Sequence, residues 1–172
     1  MDILTLFFKN PEKEYNVREV ARALKIAPTT ASIQLSSLKK KSLLISHKER
    51  NYLLYKANLQ SKSFINLKLF HNIENLYTSH LISFLLDYYN EPAAIILFGS
   101  YRKAQDIPSS DIDLCIITSL KNEPNLAPYE KRLGHKIQLF LLSRQQFKET
   151  NHQLANNIIN GIVLEGFLEV FS

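Results

Sequence analysis

Six residues from Ala93 to Phe98 are apolar without a break, and Ile112 to Ile117 is apolar except at Asp113. Runs of this length, rich in β-branched residues, predict buried strands. Gly99-Ser100 ends the first run and predicts a turn where the main chain can approach a ligand closely. Asp111 and Asp113 stand at the mouth of the second run. Two apart on a strand, they point to the same side, with Cα atoms about 7 Å apart, so both carboxylates can reach one hard cation.

The first sixty residues follow a different rhythm. Ile3 to Phe8 has helical spacing and stops before Asn10-Pro11. Asn16 with Glu19 three residues on reads as a capping box. Val17, Val20, Ala21 and Leu24 then form one apolar helical face, and Ile26-Ala27 a short turn. Pro28 suits the first position of a third helix, running to about Lys40. Leu43–Ser46 and Tyr52–Ala57 read as strands joined through residues 47–51.

Polar Leu59–Ser63 marks a boundary. Phe64 to Tyr89 reads as helix, broken near Thr78-Ser79, with Phe64, Leu67, Phe70, Ile73, Leu76 and Tyr77 on one face. That face reads either as a dimer seam or interdomain lever, or as a helix packing on its own sheet. Beyond Ile117 come a loop to Pro128, a helical turn at Tyr129–Leu133 and a third strand at Lys136–Leu142. Ser143 and Gln146 form a second capping box, opening a helix to about Thr150. Asn151–Asn160 is a last helix ended by Gly161, and Ile162–Leu164 an edge strand. The pattern predicts an α+β chain divided into residues 1–60, a helical connector at 61–90, and residues 91–172.

Charge sharpens this division. The net charge is +5, yet residues 1–60 hold eleven Lys and Arg against five acids, and the remainder is slightly negative. All the positive excess is N-terminal, which points to a polyanion partner for that half. The lone Cys115 lies in an apolar strand and is expected to be a buried free thiol. No signal-like opening and no run of membrane-spanning length are apparent, so the expectation is a cytoplasmic protein with no membrane partner.

Phosphoryl and nucleotidyl transfer need phosphates held in line and their charge neutralised, typically by Mg²⁺ on one or two carboxylates. Gly99-Ser100, ten residues, then Asp111-Ile112-Asp113 resembles the G-S-x10-D-x-D signature of polymerase-beta-type nucleotidyltransferases, above all the minimal ones of archaea and bacteria. The resemblance implies a small mixed-sheet domain. It implies Asp111 and Asp113 as catalytic and metal-binding residues, with Mg²⁺ or Mn²⁺. Gly99, Ser100, Arg102, Lys103 and Ser110 are the corresponding candidates for holding a nucleoside triphosphate. Two departures stand out. The third strand of that family usually carries a further carboxylate, and here Gln138 occupies its place; Glu123 and Glu130 are nearby in sequence. Ala104 replaces a glycine common in the G-S-x-A-x-G form of the motif.

The segment from Val17 to Ile45 resembles a winged helix-turn-helix, with residues to about 58 completing it. The resemblance implies a recognition helix in the major groove of duplex DNA. Helical spacing turns Ala31, Leu35 and Leu38 inward and Thr29, Thr30, Ile33 and Ser36 outward. Lys39, Lys40 and Lys41 at the helix end, with Lys48 and Arg50 in the wing, suit phosphate contacts. Ser42 stands where a glycine commonly follows that helix.

Three functional readings remain open. The chain could transfer an NMP, AMP foremost, to a protein or small molecule, with DNA binding as a targeting device. It could be a winged-helix transcription regulator with a degenerate, nucleotide-sensing transferase domain. It could be an antitoxin-like partner of a HEPN-domain ribonuclease, since some minimal nucleotidyltransferases pair with one. A homodimer is compatible with each.

Overall fold

A computed structural model of the chain describes residues 2–169. It divides into two compact units, one up to Lys68 and one from Leu69 onward.

The first unit runs α1 (Ile3–Lys9), β1 (Tyr15–Asn16), α2 (Val17–Leu24), α3 (Pro28–Lys40), β2 (Leu44–Glu49) and β3 (Tyr52–Ala57). The capping box forms: Asn16 Oδ1 accepts from the Glu19 amide at 3.0 Å, and Glu19 Oε2 accepts from the Asn16 amide at 2.8 Å. The three strands make an antiparallel sheet in the order β1-β3-β2. β1 has no sequence signature, because two residues are too short to show a period of two. β2 extends past the predicted Ser46 to Glu49, and Arg50-Asn51 makes the hairpin turn. Phe7, Val20, Ala31, Leu35, Leu44 and Tyr55 fill the core.

The second unit begins within α4 (Lys62–Thr78) and continues through α5 (Leu81–Tyr88), β4 (Ala94–Phe98), α6 (Gly99–Arg102), β5 (Ile112–Ile117), α7 (Ala127–Leu133), β6 (Ile137–Leu142), α8 (Arg144–Glu149), α9 (His152–Ile159) and β7 (Ile162–Gly166). The sheet order is β6-β5-β4-β7. β4 is antiparallel to β5 and β7, while β5 and β6 are parallel, joined by the crossover through α7. Ile95, Leu97, Ile112, Leu114 and Ile116 cluster with α5 residues Leu81, Ile82 and Leu85. Ile96, Phe98, Cys115 and Ile117 cluster with Phe147 of α8 and Ile158 of α9. Apolar layers therefore cover both faces, which is why the central strands read as unbroken apolar runs.

The α4 face differs from its predicted one. Its buried positions are Phe64, Lys68, Asn72 and Leu76, each four residues after the last, while Leu67, Phe70 and Tyr77 are exposed. Two members of the buried stripe are polar, so an apolar pattern finds Phe64 and Leu76 but misses Lys68 and Asn72. No helix among the described residues is long and apolar enough to cross a membrane.

Candidate active site

Gly99-Ser100 opens a short helical turn, α6, where sequence predicts a simple reversal. Gly99 has φ +73°, and a Cβ there would collide with Asp113 Oδ2. Glycine is required twice over, by the left-handed backbone and by the carboxylate seated against its Cα. Asp113 lies opposite Phe98 in the antiparallel β4–β5 pair, which brings it to the start of α6. Asp111 is exposed just ahead of β5.

Burial raises the Asp113 pKa above its ordinary value, and the nearby Asp111 charge raises it further. Two carboxylates that repel each other at the edge of solvent fit a hard divalent cation, which would relieve that repulsion.

Ser100 is half-buried and Lys103 exposed. Arg102 is half-buried, and its Nε is enclosed without a hydrogen bond. Ser110 Oγ accepts from the Ile107 amide at 3.0 Å, so this hydroxyl closes the loop before the acids. Ala104 is buried and adopts φ +54°, the conformation that a glycine would take without strain.

The parallel register of β5 and β6 pairs Asp113 with Gln138. No group of three metal-ligating side chains that includes the aspartate pair occurs among the described residues. Neither acidic neighbour in sequence fills the gap. Glu123 acts on Tyr89, whose hydroxyl donates to the Asn122 carbonyl, and Tyr89 borders the Ile117 end of β5. That end is about 17 Å from Ile112 along the strand. Glu130 is on α7, whose Tyr129 and Leu133 pack on the Leu114 side of the sheet, away from the cluster that holds Cys115 and Phe140. Its carboxylate accepts from the Ile137 amide at 3.0 Å and from Lys136 Nζ at 3.2 Å. These bonds, the amide first, hold its pKa below the ordinary value.

A buried polar network behind α6 was not legible in sequence. Asn72 Nδ2 donates to the Tyr101 carbonyl at 2.9 Å and to Asp106 Oδ1 at 2.8 Å. Asn72 and Asp106 are 3% and 4% exposed. The Tyr101 ring meets His135 edge-on, and His135 Nδ1 donates to the Ser110 carbonyl at 2.8 Å. Burial, then the Asp106 charge, pushes the Tyr101 hydroxyl pKa well up. The network ties α4, α6 and the loop before Asp111 together. No local pattern marks it, because its polar members Asn72 and Asp106 are 34 positions apart.

In the first unit, Thr29, Thr30 and Ile33 are exposed, Ile33 at 71%. Ser36, predicted to face outward, is half-buried, while Lys39, Lys40, Lys41, Lys48 and Arg50 are exposed. Ser42 adopts φ +58°, and its carbonyl accepts from Asn58 Nδ2 at 2.9 Å.

A four-stranded mixed sheet with a Gly-Ser helical turn facing a strand-borne aspartate defines a nucleotidyltransferase-type site. Residues 80–166 match the family of polymerase beta nucleotidyltransferases, and the chain belongs to that family. Its members generally use divalent metals. No curated protein matches the chain.

Proposed function

We propose that the second unit binds a metal–nucleoside triphosphate at Gly99, Ser100, Asp111 and Asp113 and slowly transfers its NMP to an acceptor hydroxyl, the bond to the α-phosphorus forming as the α–β phosphoanhydride breaks and pyrophosphate leaves. The observation that carries this reading is the Gly99 turn seated against Asp113, with the Asp111 charge beside it; the pairing of Asp113 with Gln138 is what makes the transfer slow. Asp111 and Asp113 would hold the cation, which when bound neutralises phosphate charge. The α6 amides and Ser100 hydroxyl would orient the phosphates. Gln138 is neutral and takes no proton, so it supplies neither a third anionic ligand nor a base for the attacking hydroxyl. Nucleotide binding therefore outpaces turnover, which also favours a second reading, a regulator that senses nucleotide.

The first unit is proposed as a winged helix that binds duplex DNA. The reading is supported by three helices, a β2–β3 hairpin, and exposed lysines at the α3 end and in the hairpin.

Calorimetry and a transfer assay test the catalytic half. Labelled ATP, CTP, GTP and UTP are supplied with Mg²⁺ or Mn²⁺ and a cell lysate. Metal-dependent binding that weakens in Asp111→Asn, with slow labelling of an acceptor, is the expected result. Equal binding by both proteins with and without metal would overturn the assignment.

A further inference from the structure

Glu14, His47 and Glu49 each offer one ligand atom, and the three atoms lie within 4.8 Å of one another. His47 Nε2 is 3.6 Å from Glu14 Oε2. The sheet brings them together. His47 and Glu49 are two apart on β2 and share a face, and Glu14 immediately precedes β1. β1 and β2 both flank β3, so the group reaches across the middle strand from one sheet edge to the other. Tyr15, Ser46 and Tyr55 share one row of the sheet, with both tyrosines buried. His47 is in the adjoining row and therefore faces the other way, toward solvent.

We infer that Glu14, His47 and Glu49 form a binding site for a divalent transition-metal ion such as Zn²⁺, separate from the aspartate pair. Three atoms this close share a point within about 2.8 Å of all of them, and small side-chain adjustments reach the ~2.1 Å of zinc–nitrogen and zinc–oxygen bonds. One imidazole and two carboxylates give a mixed nitrogen and oxygen donor set, which suits Zn²⁺ rather than the oxygen-only preference of Mg²⁺. All three side chains are at least partly accessible, so water can complete a four-coordinate shell. A bound ion would cross-tie the two edge strands and stabilise the native unit, because the unfolded chain does not hold the three groups together.

The test is a ZnCl₂ titration of the full chain by calorimetry in excess Mg²⁺, which occupies oxygen-only sites. Thermal melts and CoCl₂ absorption spectra accompany it. The expected result is one Zn²⁺ per chain, a raised Tm, and visible Co²⁺ bands of low-coordinate geometry. His47→Ala and Glu49→Gln should each weaken Zn²⁺ binding by at least about tenfold and lose the Tm rise. Both substitutions are at exposed positions, so the variants are expected to fold, and melting without metal checks this. Absence of stoichiometric binding, or equal binding by wild type and both variants, would overturn the site and leave Glu14 and His47 as a surface ion pair.

Discussion

Gln138 lies directly beside Asp113 across the parallel β5–β6 pair. A carboxylate at this position would share the face of Asp113, and the amide there leaves the aspartates without a third charge. Gln138→Asp is therefore expected to raise nucleotide transfer by about 10²-fold or more, the usual range for a general base. Single-turnover labelling at saturating Mg²⁺ measures it. Brisk, Asp113-dependent transfer by wild type would instead show that Gln138 does not limit the reaction.

Gly99→Ala puts a methyl against Asp113 Oδ2 and forces a side chain into φ +73°. The backbone penalty alone is about 1–2 kcal/mol. The variant is expected to melt lower and to lose metal-dependent nucleotide binding, since relief of the clash displaces the carboxylate. Calorimetry alongside thermal melting checks both effects. Unchanged binding would separate Asp113 from the Gly99 cradle.

Asp113→Asn tests the same contact through pH. The folded pKa of Asp113 is raised above its ordinary 3.8 by burial and by Asp111. The fold thus favours the protonated acid. The stability linked to this group is full below pH 3.8 and is lost as pH rises through the raised value. Without metal at neutral pH, the asparagine variant should melt above wild type, and the gap should shrink as pH falls toward that range. Mg²⁺ should stabilise wild type more than the variant. A gap independent of pH would mean that charge is not the cause.

Ser42→Gly removes a non-glycine residue from φ +58° at an exposed position. Relief of about 1–2 kcal/mol of strain, set against the ~0.5–1 kcal/mol entropy cost of glycine, leaves a gain of about 0–1.5 kcal/mol. Urea denaturation measures it. A loss of stability would show that the serine side chain contributes more than its backbone costs.

Lys39, Lys40 and Lys41 replaced together by alanine should lower affinity for every duplex sequence and flatten the salt dependence. Each lost phosphate contact reduces the slope of log K against log salt by about 0.9. Fluorescence anisotropy over a salt series gives the slope. No change in affinity or slope would remove the α3 end from the proposed DNA interface.

Local order fixed what sequence could reveal. The runs through Ala94–Phe98 and Ile112–Ile117 declare strands because both of their faces are covered. Asn16 and Glu19 declare a helix start because their reciprocal bonds span three residues. The Gly99-Ser100 and Asp111–Asp113 pattern marks the motif because its members lie within fifteen positions of each other. Tertiary structure decided everything that depends on pairing across distance. Asn72 meets Asp106 across 34 positions, and Glu14 meets His47 across a sheet whose first strand has two residues. The position of Gln138 beside Asp113 follows from β-strand register, and that of Glu130 from the packing of α7 on the other sheet face. Register is set by the packing of whole faces, and a one-residue slip would reverse every side chain, so no local pattern carries it.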